Sequence, residues 1–178
     1  GQFAQSHTGV LAGSFRVKRA ALSQAGAVVV DDLTEMIDAV KALSVVRLAP
    51  KDTIGVGVVT GQAGPGLLMT DALRTRGVNI PSLSEKTRAR LSELLPPLTY
   101  QANPVDTGRP GENFRDVLKA VRESEGIDLL AVSLVHEPDA VDPASALADV
   151  SPSVLCGLGP ADIVHALQSQ LSHVGVAL

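Results

Sequence analysis

Aromatic side chains are scarce in this sequence: they make up 2% of its 178 residues, namely Phe3, Phe15, Tyr100 and Phe114, and there is no tryptophan. Platforms for single-stranded nucleic acid and flavin sites stack planar ligands on such rings, so this composition argues against both. With 45% apolar residues the core must be packed from aliphatic side chains. A surplus of positive charge is also missing. Lys plus Arg number 15 against 19 Asp plus Glu, a net charge of −4, so no general attraction to nucleic acid or anionic membrane is expected. The one cysteine, Cys156, can form neither an internal disulfide nor a cysteine-based metal site. It is expected to be a small buried hydrophobe in a reducing, cytoplasmic compartment. No apolar run approaches the length of a membrane span, and no charged stretch followed by an apolar one marks the N-terminus.

What is present is an alternation of apolar, β-rich runs with amphipathic segments. Ala27 to Val30 reads as a short strand, with Asp31 and Asp32 as caps of a following helix. Leu33, Met36, Ile37, Val40 and Leu43 fall at helical spacing and predict a helix lying on a sheet. Ile54 to Thr60 is apolar on both faces, the pattern of a central parallel strand, and Gly61 to Gly66 predicts a tight loop into a helix over Leu67 to Arg76. Val78 to Ile80 predicts a short strand, and Ser84 caps a helix that Pro96 and Pro97 stop. Residues 98–112 read as loop, Phe114 to Val121 as helix and Ile127 to Val135 as a buried strand. A weak helix over Ala144 to Asp149, strands at Ser153 to Cys156 and Val174 to Leu178, and a helix over Ala161 to Leu171 complete the pattern. Such alternation implies right-handed crossovers and a three-layer, doubly wound, mostly parallel α/β sheet of flavodoxin-like type. Residues 1–25 fit it least and are expected to be an N-terminal segment with a histidine-containing loop, followed by the flavodoxin-like domain over 26–178.

Open α/β sheets bind ligands at the carboxyl ends of their strands. The stretch Thr60-Gly61-Gln62-Ala63-Gly64-Pro65-Gly66 is the best candidate there, because small residues expose backbone N–H groups at the positive end of a new helix. It has neither a Walker A Lys nor the spacing of a dinucleotide fingerprint, and a turn that merely packs helix against strand explains it as well. Among four histidines, His136, His165 and His173 have ordinary surface or strand-end settings, and no pair has zinc-ligand spacing, so no metal site is expected. His7 lies in Ser6-His7-Thr8-Gly9, a polar stretch bracketed by glycine.

These residues carry a resemblance. Ser6-His7-Thr8-Gly9-Val10-Leu11-Ala12-Gly13-Ser14, Gln24-Ala25-Gly26 and Val30-Asp31-Asp32-Leu33 resemble the stretch after the first ligase domain of NDP-forming acyl-CoA synthetases, the succinyl-CoA synthetase-like acetate–CoA ligases. The similarity continues through Val58-Val59-Thr60, Gly64-Pro65-Gly66, Leu83-Ser84, Leu94-Leu95-Pro96-Pro97 and Asn103-Pro104-Val105-Asp106, covering residues 5 to about 135. It implies the second ligase-CoA flavodoxin-like domain of an enzyme that makes acyl-CoA, ADP and phosphate from acid, CoA and ATP. The intermediates would be an acyl phosphate and a phosphohistidine. By this resemblance His7 is the phosphoacceptor, and Thr8, Gly9, Ala63, Gly64 and Gly66 contribute to phosphate binding, with Asn103 and Asp106 as a supporting loop. An imidazole suits that role, being neutral and nucleophilic near pH 7.

The resemblance also implies partners: CoA-binding, first ligase flavodoxin-like and ATP-grasp domains, in the same or another chain. CoA, ATP or ADP and Mg would be bound by the whole enzyme and none by this domain alone, which is expected to be inactive in isolation and to associate with a second copy of itself. The family commonly has Asn-x-Gly-Gly-Pro-Gly where this chain has Gly61-Gln62-Ala63-Gly64-Pro65-Gly66. That departure keeps open a second reading, a noncatalytic ligand-sensing or scaffolding paralogue.

Overall fold

The computed structural model describes residues 14–178. The chain divides into two compact units, Gly1–Val40 and Lys41–Leu178, and each is taken by itself.

In the first unit, α1 (Phe15–Gln24) precedes an extended stretch and the start of α2 (Leu33–Val45). Asp32 caps α2: its carboxylate accepts from the Glu35 amide at 2.9 Å, while Glu35 reaches back to the Asp31 amide at 2.8 Å. The first bond satisfies one of the N–H groups that a helix start leaves open, that of Glu35, and the second ties the preceding Asp31 amide to the first turn. Asp31 pairs with Arg19. The strand expected over Ala27–Val30 is absent. β-branched residues favour extended backbone, but a strand also needs a neighbouring edge for its N–H and C=O groups, and the sheet begins elsewhere. The stripe expected to lie on a sheet contributes no buried residue to α2.

The second unit holds the sheet. Its elements run β1 (Val56–Thr60), α3 (Ala63–Thr75), α4 (Glu85–Leu94), β2 (Val105–Asp106), α5 (Phe114–Arg122), β3 (Leu129–Val135), α6 (Pro143–Leu147), β4 (Ser153–Leu158), α7 (Ala161–His173) and β5 (Val176–Ala177). The five strands are all parallel, in the order β2-β1-β3-β4-β5. The doubly wound flavodoxin-like architecture is therefore present.

β1 is buried along its whole length, as its two-sided apolar pattern requires. On one face, Phe114, Val117, Leu118 and Val121 of α5 pack with Leu91, Leu130, Val132 and Leu155 into the main aliphatic core. Gly57 admits that helix, because a Cβ there would meet Val121 Cγ1 at 2.7 Å. On the other face, Val56, Val58 and Ala131 meet Met69 and Leu73 of α3.

Several local expectations need correction. Helix α3 starts at Ala63, so Gly64, Pro65 and Gly66 form its first turn and are not a preceding loop. Val78 to Ile80 makes one bridge, Asn79 to Gly55, because the Asn79 carbonyl takes only the Val56 amide, at 2.9 Å. Within the expected loop, Val105 and Asp106 form edge strand β2, paired with Val59 and Thr60. Cys156 is exposed. Along β4 the side chains alternate, and the buried Ser153 and Leu155 put Cys156 on the opposite face.

Candidate functional site

The strand order reverses at β1 and β3, so their carboxyl-end loops part and leave a crevice, the usual ligand position in such sheets. The site is built from the buried Thr60 outward. Its hydroxyl donates to the Gln62 carbonyl at 2.6 Å and accepts from the Gln62 amide at 3.2 Å, which closes a short turn into α3. A Cβ on Gly66 would lie 2.4 Å from Thr60 Cγ2, so the absence of a side chain lets the first turn of α3 rest directly on the strand end.

Gln62 is the N-cap residue, yet no side chain caps the helix. Its side chain crosses to the neighbouring strand instead: Oε1 accepts from the Val135 amide at 3.2 Å and Nε2 donates to Glu137 Oε1 at 2.8 Å. Ala63 and Gly64 thus stand exposed at the head of a 13-residue helix, at the positive end of its dipole. Nothing lies within 4 Å of a Cβ on Gly64, so this glycine leaves backbone open to an approaching group. Arg109 faces the same loops. Its Nε lies 3.4 Å from Glu137 Oε2, and Nη2 donates to the Pro138 carbonyl at 2.5 Å. A helix head with open amides can hold an anion through N–H donors, while the Arg109 guanidinium is occupied by Glu137 and the Pro138 carbonyl.

Of the residues expected at the site, Ala63, Gly64 and Gly66 come together at this helix head, with Gly66 directed to packing. His7, Thr8 and Gly9 lie outside the described residues. Asn103 is buried and fully engaged by backbone: Oδ1 accepts from Val58 N at 2.8 Å, and Nδ2 donates to the Val56 and Pro81 carbonyls, both at 2.9 Å. It stands in for the strand partner that the two-residue β2 is too short to supply. Asp106 ends β2 on the crevice side of the sheet, and its Oδ1 accepts from Gly108 N at 3.0 Å in a turn. No cluster of three or more potential metal ligands occurs among the described residues.

Arg109 and Glu137 were not singled out from the sequence, and Gln62 entered only as a member of the glycine-rich stretch. They meet across separations of up to 75 residues, which leave no local pattern, and their only sequence signal is a position just past a strand end. A cavity of about 490 Å³ beside β3, β4 and α7 was equally invisible.

Fold and crevice define a doubly wound parallel domain with an uncapped helix head at its switch point. Comparison with known proteins narrows this. Residues 1–43 match the model of the succinyl-CoA ligase-like flavodoxin domain. Over 129 residues the chain is 35% identical to the acetate–CoA ligase (ADP-forming) II subunit alpha of Pyrococcus furiosus, covering 71% of this chain and 28% of that protein. The acetate–CoA ligase (ADP-forming) I of Archaeoglobus fulgidus is 32% identical over 133 residues, 74% of this chain and 19% of that protein. In fold, a solved protein of Pyrococcus horikoshii OT3 has a TM-score of 0.80 at 25% identity, over 93% of this chain and 40% of that one. The dinucleotide-forming acetyl-coenzyme A synthetase 1 of Ca. Korarchaeum cryptofilum, solved with phosphate and ADP, has a TM-score of 0.83 at 22% identity, covering 99% of this chain and 40% of that one. The chain is a relative of the NDP-forming acyl-CoA synthetases and corresponds to a part of them. It spans 28% or less of the length of these two curated relatives.

Proposed function

We propose that this chain acts as a domain of an NDP-forming acyl-CoA synthetase, which joins acid and CoA at the expense of ATP and releases ADP and phosphate. The observation that carries the reading is the 35% identity, over 129 residues, to the alpha subunit of an ADP-forming acetate–CoA ligase. His7 is the phosphoacceptor. Thr8 and Gly9 flank it, and the amides of Ala63 and Gly64 hold the phosphoryl group at the helix head. CoA, nucleotide and Mg belong to CoA-binding and ATP-grasp domains, and a further flavodoxin-like domain faces this one. The setting is cytoplasmic. Among the described residues no helix is long and apolar enough to cross a membrane.

In chemical terms, the imidazole attacks the phosphorus of an acyl phosphate and the carboxylate leaves. The phosphoramidate then passes its phosphoryl group to ADP, and in the synthetic direction the steps run backwards. Electrostatic support is needed where the phosphoryl charge sits, and open helix-head amides supply it without reorganisation. The protein assembled with its CoA-binding and ATP-grasp domains tests this. We expect acid-, CoA- and ATP-dependent thioester formation and an acid-labile phosphoryl group on His7, with His7→Ala abolishing the label and lowering turnover about 10³-fold or more. Full activity of that variant overturns the role of His7. The Gln62-Ala63 sequence at the helix head supports a second reading, a noncatalytic paralogue. Normal CoA and nucleotide binding without any thioester formation would establish it.

A further inference from the structure

The cavity of about 490 Å³ lies between the carboxyl ends of β3 and β4 and helix α7, and adjoins the head of α3 through Val135 and Glu137, both bonded to Gln62. Its walls are aliphatic, from Leu134, Val141, Leu155, Leu158, Val164 and Leu167. No Phe, Tyr or Trp lines it, and the imidazole of His136 is its one ring. No Lys or Arg lines it either, while four carboxylates do: Glu137, Asp139, Asp142 and Asp162. The four carboxylates disfavour a phosphate, carboxylate or nucleotide there.

Two of these carboxylates are already engaged. Glu137 takes Gln62 and Arg109, and Asp142 caps α6 by accepting from Ala144 N at 3.2 Å and Ser145 N at 3.0 Å. Asp139, on the loop after β3, and Asp162, in the first turn of α7, form no ion pair among the described residues. Leu158 remains 46% exposed at the mouth, although its neighbour in sequence Gly157 is half-buried. The volume falls in the range of small-molecule sites, about 300–1,000 Å³, where apolar walls supply affinity and a few polar groups fix orientation.

We propose that this cavity is a binding site for a small aliphatic cation, an alkylammonium whose chain lies on the leucine and valine walls and whose head meets Asp139 and Asp162. It stands apart from the synthetase reading because the two carboxylates assigned to the head, Asp139 and Asp162, bind neither Gln62 nor Arg109, although Val135 and Glu137, which do contact that pair, share the wall. The experiment is run at pH 8, with the alkylammonium in its charged form.

The test uses the full chain, with butyl-, pentyl- and hexylammonium followed by calorimetry and by backbone amide shifts. We expect saturable one-to-one binding, strengthening about fourfold with each added methylene, with shifts centred on residues 134–142 and 157–167. Hexanoate should not bind. Asp139→Asn with Asp162→Asn should weaken hexylammonium at least tenfold, and Ala166→Leu, which fills the cavity from α7, should abolish binding while the circular dichroism melt stays two-state. Equal binding of hexanol and hexylammonium overturns the proposal. So does the absence of saturation, or shifts centred outside the cavity. The chain-length series and the hexanoate comparison need no variant, so they stand even if a substitution unfolds the chain.

Discussion

At Asn103 one side chain satisfies three buried backbone groups, the Val58 amide and the Val56 and Pro81 carbonyls. Removing it strands those groups away from water, at about 1–3 kcal/mol for each that finds no substitute. Asn103→Ala should therefore lower stability by about 2–4 kcal/mol in urea unfolding, with an unchanged denaturant slope. Asn103→Asp should do no better, since its carboxylate would face two carbonyl oxygens. Glycine at the helix head makes a second, paired case. Gly66→Ala drives a methyl to 2.4 Å from Thr60 Cγ2 and should cost about 1–3 kcal/mol. Gly64→Ala meets nothing within 4 Å and should leave the melting temperature unchanged or slightly raised. If the helix head holds phosphoryl, Gly64→Ala impairs phosphoryl transfer in the assembled enzyme without loss of fold; unimpaired transfer would leave Gly64 no part in the site.

Between elements, a single carboxylate joins the approach to β1 with the start of β3. Asp128 accepts from Lys51 Nζ at 2.8 Å and from the Gly55 amide at 2.9 Å. The hydrogen bond from Lys51, and after it the one from Gly55, hold this carboxyl below the usual aspartate range. A folded-state pKa lower than the unfolded value of about 3.9 means the contribution is present above that value and is lost as pH falls through the folded pKa. Acid unfolding of Asp128→Asn should therefore show less loss of stability below pH 4 than the parent shows, with the two compared by chemical denaturation at each pH. The same pair shows what a sequence makes legible. The two-sided apolar runs of β1 and β3, the Ser84 cap and the α5 stripe of Phe114, Val117, Leu118 and Val121 are local signals, and each names its element correctly. Ala27–Val30 has the same composition as a strand but no edge to pair with, and Val105–Asp106 looks like a turn yet is fixed as a strand by Val59 and Thr60. Strand identity depends on partners far away in sequence. The glycines of the helix head could be read as a site because they adjoin one another; Gln62, Glu137 and Arg109 could not, because only the crossover through α5 and β3 brings them together.

Across the molecule, burial is unevenly distributed, and this sets how the chain should open. Every residue of β1 is buried, β3 is buried over its five central residues, and α5 supplies four core side chains. Helices α1 and α2, by contrast, contain no buried residue. A helix without buried apolar contacts relies on its own hydrogen bonds and caps, and segments of 10 and 13 residues are marginal on that basis in water. Native-state hydrogen exchange of the full chain should accordingly separate two classes of amide. Those of Val58, Val59, Leu130 and Val132 should exchange only through global unfolding, with a free energy and denaturant dependence equal to those of the whole second unit. Amides in α1 and α2 should open locally, with protection lower by several orders of magnitude and nearly independent of denaturant. Equal protection in both classes would mean that α1 and α2 are held by packing as strong as that of the sheet. Repeating the measurement with CoA-binding and ATP-grasp domains added tests the proposed assembly at this segment: a narrowed separation places their contact on residues 14–45, and an unchanged one places it elsewhere.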